Sequence, residues 1–219
     1  MTAEIRPIAY VKPPRQPDSE AEPVVHIVDD DAAVRDSLRF LLETEGLTVR
    51  TYPGAEALLA ASLPLSGCVL TDLRMPGLDG LGLQSRLREL EVALPVIIMT
   101  AHGEVPTAVR AMRGGAADFL EKPFGDEQVI SAVRQALTRN AAELEGRMRA
   151  GMAAGRIAQL TPRERDVMEL LVEGKSNKEI AGRLGTSPRT IDVHRARVLQ
   201  KLEVGSLPEL VKLVFTARG

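Results

Sequence analysis

Between residues 24 and 137, five short apolar runs alternate with stretches of helical periodicity, and this alternation leaves few folds open to the chain. The runs are Val24–Val28, Leu47–Tyr52, Cys68–Thr71, Pro95–Thr100 and Asp118–Glu121. The helical stretches carry Val34, Leu38, Leu41 and Leu42 up to Gly46, then span Ala55–Ala61, Leu81–Leu90, Val105–Arg113 (closed by Gly114 and Gly115) and Asp126–Leu137. Strands separated by helices form a parallel sheet covered on both faces. The predicted fold is therefore α/β, a doubly wound five-stranded parallel sheet.

In such sheets the ligand site lies beyond the carboxyl ends of the strands. The first run ends in Asp29, Asp30 and Asp31, the third in Asp72 and the fourth in Thr100, and the fifth is followed by Lys122 and Pro123. Converging carboxylates repel one another unless a hard cation sits among them. Mg²⁺, with its octahedral shell of oxygen ligands, suits Asp29, Asp30 and Asp72. A lysine at the same rim pairs with Asp72 or with a phosphoryl oxygen, and the Thr100 hydroxyl can donate to such an oxygen. These groups suit the transfer of a phosphoryl group to a carboxylate. The alternative for the same residue types is a calcium site or a structural acidic cluster.

Charge separates this segment from the rest. Residues 24–137 carry a net −6 and residues 138–219 a net +5, so two domains with different partners are expected, the basic one facing nucleic acid. Pro7, Pro13, Pro14, Pro17 and Pro23 mark residues 1–23 as a flexible tail. No apolar run approaches the roughly 18 residues of a membrane helix, and no signal-peptide centre stands near Glu4 and Arg6. The single cysteine, Cys68, fits a reducing cytoplasm and reads as core. Aromatic residues are 3% with no Trp, which excludes a stacking platform for single strands. Residues 139–159 form a linker. Ile130, Leu137 and Leu144, spaced by seven, suggest that the preceding helix runs on, whereas Gly146, Gly151 and Gly155 suggest a loose connection.

From residue 160 the pattern is all helical. Thr161, Pro162 and Glu164 form a helix start, with Val167, Met168, Leu170 and Leu171 following up to Gly174. Asn177–Leu184 is a second helix, Ser187 and Pro188 open a third over Arg189–Leu202, and a fourth begins near Pro208. Two short helices around a glycine-containing turn make a helix-turn-helix. At 100° per residue, Ile191, Val198 and Leu202 face the core of the third helix. Arg189, Val193, Ala196, Arg197 and Gln200 fall opposite, a mixture suited to guanine edges and thymine methyls in a major groove. Asp192 flanks that face and Thr190 joins it. Lys178, Thr186, Ser187, His194, Arg195 and Lys201 are better placed for phosphates, although Arg195 falls on the nominally buried side.

The strings I-V-D-D-D (27–31), V-L-T-D-L-R-M-P-G-L-D-G (69–80), M-T-A-H-G (99–103) and D-F-L-E-K-P-F (118–124) together resemble a response-regulator receiver domain of flavodoxin-like fold, covering 24–138. The resemblance implies that Asp72 accepts the phosphoryl group. Asp29 and Asp30 would bind Mg²⁺ through their side chains, and Arg74 through its backbone carbonyl. Thr100, Phe119 and Lys122 would form the switch, with a cis bond before Pro123. Phe119 read from the residues alone is equally a core residue. His26 reads as structural, and His102 as a rim residue that tunes dephosphorylation.

The segment from about 160 to 215 resembles the LuxR/NarL-type DNA-binding domain, which makes 160–219 the expected DNA-binding domain, and the combined layout resembles the FixJ subgroup, whose members regulate nitrogen-fixation and low-oxygen genes. The resemblance implies a sensor histidine kinase as phosphoryl donor, double-stranded promoter DNA as target, RNA polymerase as a further partner, a homodimer on phosphorylation, and no membrane association. Two other functions would use part of the same residue set. A haloacid-dehalogenase-type phosphatase needs a second acid two residues after its nucleophile, where Arg74 stands. A phosphorylation-independent DNA binder has no use for the acid, hydroxyl and lysine set.

Overall fold

The computed structural model describes residues 22–61, 67–101 and 105–218. The proline-rich segment before Glu22 and His102 lie outside them. The chain divides into two compact units, Met1–Leu144 and Glu145–Gly219.

In the first unit the strands β1 (Val24–Val28), β2 (Thr48–Tyr52), β3 (Gly67–Asp72), β4 (Val96–Thr100) and β5 (Asp118–Glu121) form one parallel sheet in the order β2-β1-β3-β4-β5. This is the doubly wound α/β architecture. The inner strands β1, β3 and β4 are buried along their whole length, as continuous apolar runs require. The edge strands β2 and β5 are half-buried, which accounts for their more polar sequences.

Side chains alternate across the sheet. Val25, Ile27, Cys68, Leu70, Ile97 and Met99 meet α1 (Ala32–Thr44) and α5 (Asp126–Ala158) through Leu38, Leu42, Val129 and Val133. Val28, Val69 and Ile98 meet α2 (Ala55–Ala60), α3 (Gly80–Glu89) and α4 (Val105–Arg113) through Leu58, Leu83, Leu87 and Ala111. Gly67 opens β3 at φ 121°, where an added Cβ would lie 2.1 Å from the Val24 carbonyl oxygen, so a larger residue would push β3 off β1.

The element boundaries lie close to the sequence expectation, and β3 ends at Asp72. Helix α5 continues to Ala158, through Gly146, Gly151 and Gly155. Each glycine weakens a helix by roughly 0.5–1 kcal/mol. The i,i+4 pairs Arg139–Glu143 and Arg149–Glu145 offset part of that cost. Asn140, which the sequence placed in the linker, is buried against the sheet. Its Oδ1 accepts from the Gly67 N–H at 3.0 Å, and its Nδ2 donates to the Ala93 carbonyl at 2.8 Å.

The second unit packs α6 (Pro162–Val172), α7 (Asn177–Leu184), α8 (Pro188–Lys201) and α9 (Leu207–Arg218) around Met168, Leu171, Ile180, Ile191, Val198, Leu202, Leu210 and Val214. Thr161 with Glu164, and Ser176 with Glu179, form capping boxes at α6 and α7. Helix α7 ends at Gly185 in the left-handed conformation, the glycine of the predicted turn.

Candidate functional site

The carboxyl ends of β1, β3 and β5 deliver their predicted groups to one place. Lys122 Nζ lies 2.6 Å from Asp72 Oδ1 and 3.0 Å from Asp29 Oδ2. Both acids are buried, with residue exposures of 8% for Asp72 and 1% for Asp29. Burial pushes the Lys122 ammonium down, but its hydrogen bonds to Asp72 and Asp29 outweigh that and hold it above the ordinary lysine value. It is therefore a fixed positive charge at the rim. Asp72 Oδ2 accepts from the Arg74 N–H at 2.7 Å, and Asp29 Oδ1 from the Asp31 N–H at 2.9 Å. Asp31 spends its own carboxylate as the N-cap of α1, accepting from the Ala33 N–H.

Thr100, at the end of β4, is buried, and its register partner is Glu121. Phe119 is half-buried against the α2–α4 core. The Lys122–Pro123 bond is cis. The loop after Asp72 is held from outside: Glu56 Oε1 accepts from the Leu78 N–H at 2.9 Å. Neither Glu56 nor Arg35, whose Nη1 donates to the Asp29 carbonyl at 2.6 Å, was singled out from sequence. Both are ordinary charged positions on predicted helices, so spacing gave no signal.

The donor chemistry fits a hard divalent cation. Asp30, next after Asp29 in the chain, is exposed and free of protein partners among the described residues, and Asp29 and Asp72 meet at Lys122. Both Asp29 oxygens already accept one hydrogen bond, and each retains a lone pair. Among the described residues no group of three or more acids, histidines or cysteines is placed to hold a metal ion, and Mg²⁺ as a rule keeps several waters of its own.

In the second unit α8 presents the predicted face. Ile191, Val198 and Leu202 are fully buried, whereas Arg189, Thr190, Asp192, Val193, Ala196, Arg197 and Gln200 are exposed. Lys178 on α7 is also exposed. Thr186, His194 and Arg195 are half-buried, with Arg195 where helical geometry put it. Four predicted contacts have intramolecular partners. Ser187 Oγ caps α8 by accepting from the Thr190 N–H and meets Thr190 Oγ1 at 2.8 Å. Asp192 accepts from Asn177 Nδ2, joining α8 to α7. Lys201 Nζ lies 2.6 Å from Glu164 Oε2, which departs from its expected phosphate role. With a side-chain exposure of only 5%, Glu164 draws the ammonium inward.

Residues 25–134 match the response regulator receiver domain family, and residues 158–214 match the bacterial regulatory proteins of the luxR family. The chain belongs to the response regulators. It is 51% identical over 194 residues to the transcriptional regulatory protein FixJ of Azorhizobium caulinodans, a span of 88% of this chain and 92% of that protein. Full-length FixJ from B. japonicum superposes with a TM-score of 0.56 at 46% identity, covering 90% of this chain and 97% of the other. The response regulator StyR gives a TM-score of 0.78 at 41% identity, with coverages of 89% and 99%. This response regulator is thus FixJ-like: a receiver domain joined to a LuxR-type DNA-binding domain, regulating transcription through a phosphorelay. Receiver domains bind Mg²⁺ at the phosphorylation site. Among the described residues no helix is long and apolar enough to cross a membrane.

Proposed function

We propose that Asp72 is the phosphoryl acceptor of this response regulator and that phosphorylation drives dimerisation on promoter DNA. The observation that supports this best is the placement of one ammonium, Lys122, on both Asp72 and Asp29 at the sheet rim. An Asp72 carboxylate oxygen attacks the phosphorus of a phosphohistidine on a sensor kinase. The P–O bond forms as the P–N bond breaks, and the departing imidazole nitrogen takes up a proton. Asp30, Asp72 and the Arg74 carbonyl, with Asp29, would hold Mg²⁺. When bound, that ion neutralises charge on the transferring oxygens. Lys122 and the Arg74 N–H hold the acceptor carboxylate in place. Arg74, two residues after Asp72, offers no acid for turnover, in keeping with a regulator that is not an enzyme.

The phosphoryl group adds roughly −1.5 to −2 of charge and new acceptor oxygens. Thr100 donates to one of them and Phe119 moves into the space left behind. Helix α4 then changes its setting, and its outer face carries Val105, Val109 and Met112 at 74%, 42% and 51% exposure. Arg110 and Arg113, with Asp118 and Asp126, supply charges for pairing across a two-fold axis. About 3 kcal/mol of differential affinity shifts dimerisation by two decades. The domains of this reading are a tail at 1–23, a receiver at 24–138, a linker at 139–159 and a DNA-binding domain at 160–219. The protein works in the cytoplasm with a histidine kinase and RNA polymerase, on nitrogen-fixation or low-oxygen genes of the kind its FixJ relatives suggest. Sedimentation with and without beryllofluoride tests the reading: monomer without the mimic, dimer with it, and no response in Asp72→Asn. An unchanged mass in both conditions replaces dimerisation with domain release.

A further inference from the structure

Every backbone and carboxylate polar group of Asp29 is engaged. Its carboxylate oxygens accept from the Asp31 N–H and from Lys122, and its N–H donates to the Tyr52 carbonyl at 3.3 Å. Its own carbonyl oxygen is taken by Arg35 Nη1 at 2.6 Å. Arg35 stands in the first turn of α1, where its backbone N–H donates to the Asp31 carbonyl at 3.1 Å. Arg35 is half-buried and makes no ion pair among the described residues, although Asp29, Asp30 and Asp31 are its near neighbours in sequence. Its charge is directed at a main-chain oxygen instead.

That choice has a mechanical effect. A peptide unit is planar, so the direction of the Asp29 carbonyl also sets the N–Cα bond of Asp30. A charge-assisted donor holds a carbonyl more firmly than a neutral one. We propose that Arg35 is a positioning residue for divalent-cation binding: by clamping the Asp29–Asp30 peptide it keeps the exposed Asp30 carboxylate set for the metal beside Asp72. This rests on the reading that the rim holds Mg²⁺.

Calorimetric titration of the full chain with MgCl₂, comparing wild type with Arg35→Ala, tests the clamp, because stoichiometry reports the folded fraction and Kd reports the site. Arg35→Ala is expected to raise the Mg²⁺ Kd about tenfold at unchanged stoichiometry. Labelling by acetyl phosphate should need about tenfold more Mg²⁺ for half-maximal rate yet reach the same plateau. If Arg35 were only a cation near a cation site, its removal would tighten Mg²⁺ binding. A tighter or unchanged Kd therefore overturns the proposal. Should Arg35→Ala fail to fold, Arg35→Met keeps the apolar stem and carries the same expectation. A wild-type chain that binds no Mg²⁺ would instead overturn the reading of the rim itself.

Discussion

Lys201 of α8 reaches the buried carboxylate of Glu164 at 2.6 Å, so the helix proposed to face DNA is anchored to the residue that closes the capping box of α6. The Lys201 hydrogen bond, with those from Thr161, holds the Glu164 carboxyl down at about 2, against an ordinary 4.5. The stabilisation is complete above pH 4.5 and is lost as pH falls toward 2. Lys201→Met is expected to cost about 1–3 kcal/mol in urea unfolding at pH 7. It should leave the salt dependence of DNA binding unchanged. A salt slope lowered by one unit would return Lys201 to the phosphate contacts.

The double engagement of Lys122 predicts a large kinetic effect. Lys122→Met removes the fixed donor beside the transferring oxygens, and acetyl phosphate should label Asp72 at least tenfold more slowly. Asp30→Ala should abolish labelling, since Asp30 is exposed and, among the described residues, has no protein partner. Undiminished incorporation in either variant, read by intact-mass spectrometry, contradicts the assignment.

Base reading and phosphate contact separate by their salt dependence. Arg189→Ala or Val193→Ala should weaken specific binding by about 1–3 kcal/mol and leave random DNA nearly unaffected. Lys178→Ala should lower affinity for all sequences and reduce the salt slope by about one. Fluorescence anisotropy titrations on specific and random duplexes over a salt series distinguish the two. An equal loss on both duplexes for Arg189→Ala would move that residue to the phosphates.

His26 predicts an acid-side weakness of the receiver. It is fully buried in β1, its Nδ1 meets the Tyr52 hydroxyl at 3.1 Å, and its Nε2 is buried without a partner among the described residues. Burial, aided by the Arg50 charge, lowers its pKa from 6.5 to about 4. The unfolded chain thus binds the proton first, and stability falls as pH drops from 6.5 to about 4. The loss should be about 1–3 kcal/mol. His26→Gln keeps a neutral polar group and should flatten that part of the stability profile. Chemical denaturation at several pH values measures it, and an unchanged slope would assign the loss to other groups.

The parallel sheet and its rim are readable because parallel strands repeat a strong pattern. Apolar runs of fixed length ended in Asp29, Asp72 and Thr100, and each end stood where a ligand site must be. The face of α8 was readable for the same reason, since Ile191, Val198 and Leu202 follow the helical period. Contacts between elements far apart in sequence were not. Lys201 and Glu164, 37 residues apart, read as a phosphate contact and a capping residue, and nothing pairs them until α6 and α8 cross. Arg35 and Glu56 bond main-chain atoms, which carry no residue-type signal. The length of α5 depended on whether its glycines would break it, a balance of about 1 kcal/mol per site that composition alone does not decide.

The Asn140 side chain both accepts from Gly67 and donates to Ala93, so it acts as a stray peptide unit inserted at the lower margin of the sheet. A greasy contact tolerates sliding; this one does not. A helix advances 1.5 Å per residue, so a shift of α5 by a single position would break both bonds together. Asn140 therefore works as an index pin, setting the helix along its axis while Val129 and Val133 only hold it against the sheet.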